Sequence, residues 1–468
     1  MEETKSTNKP SRQQRPIVEL LTLAAPTVAQ MASYTIMQFV DTLMLSRIGT
    51  TEATAGGNAG LFSFSIISLG VGVLLVVNTL VSQSFGRREF ADCGRYLWQG
   101  IWFALFAWFC FLPWLPLTRG TFVLMGHEPR LAADEGIYLR IVLGASVVKL
   151  LGVATGQFLL ATDRPTSVLI CTLVGVGANA LAAWVMIFGR LGCPAMGIAG
   201  SAWGQNAGVA VETLLLFWFV IRRPGRGVYH VGDWKPRRQY LRTLLRVGIP
   251  SGVQIVADVL AWSLFGMWVM GQFGTAAMAA QTYMMRYMVV SFMPAFGMGA
   301  AVTALVGRYI GRGRPDIAAK RARLGFLLTA IYMVTCGLLF YVGRYPLIGL
   351  FAKDPEVIRI GSTMLVFAAI YQFFDALYIV YNGALRGAGD TFVPAVATGV
   401  LCWGITVMGG YAVARWRPGL GPAGPWTVAT GYGVILGVFM YRRFAKGGWR
   451  SIDLDVAWAS RPCELRVV

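Results

Sequence analysis

Charge is scarce in this chain. Only 13% of its 468 residues are Asp, Glu, Lys or Arg, about half the share of a soluble globular protein. Histidine is scarcer still. His127 and His230 stand alone and far apart, and no HExxH run exists to hold a catalytic zinc. No Gly-Lys dipeptide occurs, which excludes a Walker loop and with it an ATP-driven pump. The seven cysteines, Cys93, Cys110, Cys171, Cys193, Cys336, Cys402 and Cys463, are odd in number and form no CxxC pair. That pattern argues against a disulfide framework or a zinc site. The alternation of polar and apolar residues needed for a β-barrel is also missing. No enzymatic activity and no cofactor are expected.

Apolar length is what the chain has in plenty. Hydrophobic residues make up 56% of it, and its mean hydropathy is +0.58. A helix needs about 20 apolar residues to cross a bilayer. Twelve such stretches read out, near 17–44, 57–82, 97–117, 136–160, 166–188 and 197–221, then 241–271, 284–307, 324–343, 360–384, 392–413 and 424–441. The expected fold class is therefore an all-α polytopic membrane protein, with twelve transmembrane helices in two six-helix bundles. The first lobe is expected at 17–221 and the second at 241–441, joined by a cytoplasmic linker at 222–240. Residues 1–16 and 442–468 are expected as cytoplasmic tails. The polar start, MEETKSTNKPSRQQR, runs into an apolar stretch without a small-residue cleavage site, so the first helix is expected to stay in the membrane.

A net charge of +19 invites a nucleic-acid reading. The bases, however, lie between apolar stretches, where membrane topology accounts for them, so lipid and not nucleic acid is the expected partner. With both termini placed in the cytoplasm, 29 of the 41 Lys and Arg fall in inner segments and 9 in outer loops. That bias sets the expected orientation.

The halves repeat. VSQSFGRRE at 81–89 matches VGRYIGRGR at 306–314, so Val81, Gly86 and Arg87 align with Val306, Gly311 and Arg312 at an offset of 225. Gly49 and Gly100 align with Gly274 and Gly325 in the same way. GQFLLATD at 156–163 matches GALRGAGD at 383–390; both are expected as tight turns, with Asp163 and Asp390 capping the helices that follow. Six spans per half is an even number, so the halves run the same way across the membrane. They are then related by a pseudo-two-fold axis along the membrane normal, with a cavity expected at their interface.

Few polar groups interrupt the spans, and those are the candidates for function. Asp375 lies four residues after Tyr371 in YQFFDALYIVYNGALRGAGDTFVP, which puts both on one helix face. A carboxylate inside a membrane helix is costly and faces a cavity or a partner. Lys149, near the middle of the fourth span, needs a partner on the same ground, and Asp41 is one candidate. Arg286 lies near the outer end of the eighth span, where snorkelling accounts for it. Gln30, Gln38 and Asn58 supply polar contacts to a cavity or between helices. Trp262, Phe265, Met284, Tyr287 and Phe292 are candidates for an adaptable cavity wall. Pro26 and Pro250 occupy corresponding places in the first helix of each half, and proline bends a helix by removing a hydrogen bond.

In order along the chain, Pro26, VDTLMLSRIGT (40–50), VSQSFGRRE, Asn179, GIAGSAWGQ (197–205), GIPSGVQIVAD (248–258), MPAFGMGAAVTALVGRYIG (293–311) and the Tyr371–Pro394 stretch resemble the multidrug and toxic compound extrusion (MATE) family, over nearly all twelve spans. The likeness is closer to its NorM-type branch. That branch has an acid eight residues after the proline of the seventh helix, matched by Asp258, and a Tyr-x-x-x-Asp pair on the tenth, matched by Tyr371 and Asp375. The resemblance implies a MATE-like fold in a bacterial inner membrane, and export of organic cations or amphipathic drugs driven by sodium ions or protons. It places cation or proton coupling at Asp258, Asp375, Tyr371 and Asp41, with the first three as candidate sodium ligands, and Asn179 in the first-lobe cavity. The branch usually carries Glu where Asp258 stands, which leaves the choice of ion open. The acid that DinF-type members carry four residues after the asparagine is replaced here by Ala183. A lipid-linked saccharide flippase of related two-lobed architecture is the alternative, with Lys149 and Arg286 as its basic cavity.

Overall fold

The computed structural model describes residues 16–222, 228–452 and 454. The N-terminal tail through residue 15, part of the linker, most of the C-terminal tail and Cys463 lie outside the described residues. Helices and turns make up the fold, and no strand occurs among the described residues. The first half consists of α1 (Pro16–Ser46), α2 (Thr50–Arg87), α3 (Phe90–Phe111), α4 (Thr118–Leu124), α5 (Pro129–Gly144), α6 (Ser146–Ala161), α7 (Pro165–Phe188) and α8 (Ile198–Arg222). The second consists of α9 (Arg238–Leu264), α10 (Gly274–Gly311), α11 (Pro315–Val342), α12 (Arg344–Gly349), α13 (Pro355–Ala388), α14 (Phe392–Leu401), α15 (Gly410–Trp416) and α16 (Ala423–Ala445).

Among the described residues ten stretches are long and apolar enough to cross a bilayer, and one of them, Arg238–Gly311, is 74 residues long. As one helix it would run about 110 Å, several times the ~30 Å hydrocarbon layer. A π-helical turn at Phe265–Val269, a 3-10 turn at Met270–Phe273 and Gly274 at φ 85° break it into two spans. The expected span 136–160 is two helices, α5 and α6, bent by 47° at their junction. Counting that bent pair as one span restores the expected twelve.

Proline is the first residue of α5, α7, α11 and α13, at Pro129, Pro165, Pro315 and Pro355, as it is of α1 at Pro16; there the missing N–H would have had no partner anyway. Gly389, at φ 89°, ends α13 in the left-handed conformation. The two aspartates expected to cap helices do not. Asp390 accepts from Arg443 Nε at 2.9 Å, and Asp163 pairs with Arg308 Nη2 at 3.1 Å. Neither helix that follows has a side-chain cap; an arginine's charge-assisted contact outcompetes the neutral N–H of a helix end for each carboxylate.

Each half lends the other one helix end. Leu20, Leu23 and Ala24 of α1 are buried in the core of the second half, among Ala301, Leu305 and Tyr381. Tyr240, Leu244 and Val247 of α9 are buried in the core of the first half, among Val77, Tyr96 and Leu97. The exchange obeys the repeat, since Leu20 and Leu23 are 224 residues before Leu244 and Val247. Lipid is as apolar as leucine, so close fit and not water exclusion holds such crossings. Small residues provide that fit. A Cβ on Gly297 would come within 2.7 Å of the Thr27 carbonyl, and one on Gly72 within 2.5 Å of Gly252 Cα. Further along, α2 and α10 cross with Gly86 against the Arg308 carbonyl and Gly311 against the Gln83 carbonyl. Pro26 and Pro250 lie inside helices that continue past them, beside these crossings.

Polar contacts between the halves gather at the end carrying the turns after α2, α6, α10 and α13. Glu19 accepts from Tyr309 Oη at 2.6 Å and from Arg321 Nε at 2.8 Å. Thr79 Oγ1 donates to the Arg386 carbonyl, Gln83 Nε2 to the Gly387 carbonyl, and Asn78 Nδ2 to the Ala300 carbonyl, at 2.9, 2.9 and 3.3 Å. This is the closed end of the bundle. Glu19→Gln and Arg321→Gln are each expected to lower thermal stability by about 1–3 kcal/mol, the range for charged hydrogen bonds. In a melting series the double variant should cost less than the two single costs together, because the residues share one contact; additive costs would refute the coupling.

The described part of the linker is fitted against α3. Trp98 Nε1 donates to the Val231 carbonyl at 2.6 Å and Trp102 Nε1 to the Trp234 carbonyl at 2.9 Å. Tyr240 Oη donates to Asp92 at 2.8 Å.

Candidate functional site

Helical spacing builds the site in the second half. Tyr371, Asp375, Tyr378 and Asn382 recur at intervals of four, three and four on α13, so they form one stripe. Gln254 and Asp258 form a matching pair on α9. Tyr378 Oη donates to Asp258 Oδ2 at 2.9 Å, and Tyr432 Oη of α16 lies 3.4 Å from Oδ1. Gln254 Nε2 donates to Thr398 Oγ1 at 2.9 Å and lies 3.3 Å from Tyr378 Oη and 3.4 Å from Asn382 Oδ1. Asp375 and Tyr371 are 5% and 6% exposed. Both are within electrostatic reach of Asp258. The Tyr371 ring packs edge-on to Trp262 at 6.1 Å and over Gly433, where a Cβ would collide with it. Asp258, Asp375 and Tyr371 thus lie in one buried region of the second half, with Tyr378 and Tyr432 as the direct hydrogen-bond partners of Asp258.

Two carboxylates and three phenols offer oxygen donors only. Among the described residues no three His, Cys, Asp or Glu side chains gather as a metal-binding group. Such an oxygen set suits a hard monovalent cation or a proton, not a softer transition metal.

The polar groups of the first half fall into separate clusters. Asn179 Nδ2 lies 3.4 Å from Asp41 Oδ2, while Asp41 Oδ1 and Asn179 Oδ1 are buried without a hydrogen-bond partner. Tyr138 is within electrostatic reach of Asp41. Nearer the middle of α1, Glu212 of α8 accepts from Tyr34 Oη and Thr172 Oγ1, both at 2.6 Å. Gln30 Nε2 joins this network through Thr172 at 3.1 Å. Lys149 is within electrostatic reach of Glu212 and forms no ion pair with Asp41, the partner considered from sequence.

Other candidates lie elsewhere. Asn58 Nδ2 donates to Glu135, a fully buried acid that also contacts His127 Nδ1 at 2.6 Å. Gln38 and Arg286 are exposed. Phe265 and Met284 are fully buried in core packing and line no open cavity. Tyr287 Oη donates to the Leu347 carbonyl at 2.7 Å, and Phe292 stacks with Phe296 at 5.8 Å.

Sequence reasoning passed over Tyr378, Tyr432, Gln254, Tyr34 and Glu212. Tyr378 was legible as the next position on the Tyr371–Asp375 stripe. Glu212 interrupts the apolar run VAVETLLLFWF much as Asp375 interrupts its own helix, and the same cost argument selects it.

Repeated helical halves closed at one end, with isolated acids buried among the spans, define the class of multi-pass helical transport proteins. Within that class the assignment is direct: the MatE family model matches residues 26–185 and 254–412, and the chain belongs to this family. A probable multidrug resistance protein NorM of Mesorhizobium japonicum is 31% identical over 440 residues, covering 90% of this chain and 92% of that one. Another, of Brucella suis, is 28% identical over 443 residues, covering 92% and 93%. Among solved structures, the outward-facing conformation of a multidrug resistance MATE family transporter of the MOP superfamily superposes with a TM-score of 0.86 at 17% identity, covering 93% of this chain and 97% of that one. That likeness is one of fold.

Proposed function

We propose that the protein is a secondary multidrug efflux transporter that exports organic cations or amphipathic drugs in exchange for sodium ions or protons, by alternating access. The observation that carries this reading is the Asp258–Asp375 cluster with its three tyrosines. An ion held there neutralises a buried acid pair that is otherwise costly. A cationic drug competes for the same charge or favours the opposite conformation, and either relation couples the two fluxes. The names of the relatives support the multidrug part.

In this reading the lobes at 17–221 and 241–441 rock about the glycine crossings, and the closed end faces the cytoplasm of a bacterial inner membrane, as the lysine and arginine bias favours. The first-half pair Asp41–Asn179 is a second coupling candidate. Pro26 and Pro250 would let α1 and α9 flex beside the crossings. The flippase alternative draws on Lys149, which is half-buried, and Arg286, which is exposed.

The test is efflux of a cationic dye from vesicles under an imposed sodium gradient and then a proton gradient. Wild-type protein is expected to respond to at least one of them. Asp375→Asn is expected to slow that response by about tenfold or more, the worth of one charged hydrogen bond or ion contact. Normal transport by Asp375→Asn under both gradients would remove the assignment.

A further inference from the structure

Lys149 is a cation that the coupling cluster does not use. It lies in the first turn of α6, directly after the bend from α5. Thr213 Oγ1 of α8 donates to the Val148 carbonyl at 3.1 Å, which fixes the backbone beside it. Its ammonium lies 5.8 Å from the centroid of the Phe64 ring on α2, a distance at which a cation is drawn to a ring face. Phe64 is itself 37% exposed. Lys149 is half-buried, and among the described residues it makes no side-chain hydrogen bond and no ion pair.

The nearest acid does not answer that charge by contact. Glu212 Oε1 already accepts two short hydrogen bonds, from Tyr34 and Thr172, and stays beyond ion-pair distance of Lys149. An ammonium has three donors and no acceptor. A lysine inside a membrane protein with its donors unspent faces a partner or a water-filled cavity. Phe64 beside it offers an aromatic face, and Glu212 acts on the charge through space without occupying the donors.

We propose that Lys149 and Phe64 form a subsite for the anionic group, a carboxylate or sulfonate, of an aromatic substrate. The ammonium pairs with the anion while the ring packs against the aromatic body that carries it. Lys149 is a specificity-determining residue in this arrangement, and Glu212 is a positioning residue. The assignment rests on the transport reading above, because it names a group on the transported molecule.

The test uses the full-length protein in lipid nanodiscs and two fluorescent probes with one ring system, a rhodamine free acid and its ethyl ester. The free acid carries the carboxylate and the ester does not. Lys149→Met is expected to lower the ratio of free-acid to ester affinity by about tenfold or more, the loss of one charge-assisted hydrogen bond, and Lys149→Arg to restore most of it. If the Met variant does not fold, Lys149→Gln carries the same comparison. An unchanged ratio overturns the proposal. So does an equal loss of both probes that Lys149→Arg restores for both, since that outcome means a structural lysine. Failure of the wild-type protein to bind either probe overturns the transport reading, and this subsite with it.

Discussion

Asp258→Asn is expected to reduce gradient-driven export of a cationic dye by about a hundredfold. The geometry behind this is unforgiving. Asp258 Oδ2 accepts from Tyr378, and Oδ1 faces Tyr432. Asparagine matches the size of aspartate but replaces one acceptor oxygen with a donor. One phenol then loses its acceptor inside the protein, which costs about 1–3 kcal/mol. Losing the negative charge removes the attraction for the coupling ion as well. Together these come to about 3 kcal/mol, and each 1.4 kcal/mol is tenfold in rate. Tyr378→Phe removes a donor and leaves the carboxylate, so its expected loss is smaller, about tenfold. Efflux rates at saturating dye distinguish the two variants. If Asp258→Asn exports as fast as wild type, this carboxylate is not part of the coupling machinery.

The second large effect is expected at the closed end. Gly311→Leu places a branched side chain against the Gln83 carbonyl, where not even a Cβ fits. Its counterpart, Gly86, is packed in the same way against the Arg308 carbonyl. Overpacking a tight contact costs about 1–3 kcal/mol, and here the cost falls only on the conformation in which α2 and α10 touch. That conformation should lose population by about tenfold to a hundredfold. The measurement is labelling of a cysteine placed at Asn78, which is 1% exposed, by a membrane-impermeant thiol reagent added from the closed end. Gly311→Leu should raise its labelling rate and stop dye export. Unchanged labelling and export would show that this crossing does not open during transport.

Much of the fold was legible because apolar length and the repeat offset are coarse signals. Span existence survives errors of several residues at each boundary. Where a polar side chain points is a finer matter, set by rotation about each helix axis. Gln30, Tyr34 and Gln38 recur at intervals of four on α1, which puts them along one helix face, yet Gln38 is exposed where Gln30 and Tyr34 are half-buried. Spacing alone does not separate them; what packs against each turn does. The acid nearest Lys149 was equally hidden, because it depends on how the bend at Ala145 sets α6 against α8. Asp163 and Asp390 carried a plausible capping signal, but arginines from elsewhere in the fold, Arg308 and Arg443, took them. Long-range competition of that kind leaves no trace in local sequence.

The exchanged helix ends also govern the order in which the molecule can be completed. Leu20 and Leu23 are synthesised long before their neighbours Ala301, Leu305 and Tyr381, which follow some 280 to 360 residues later. The first six spans can therefore insert and gather, but they must wait with one helix end unmatched and, at the same time, with a gap where Tyr240, Leu244 and Val247 belong. Neither half is a finished folding unit. Expressed as separate chains, the two halves would each lack a piece of their own interior until they met, so a chain truncated between them leaves an open seam in the membrane that invites pairing with the wrong partner.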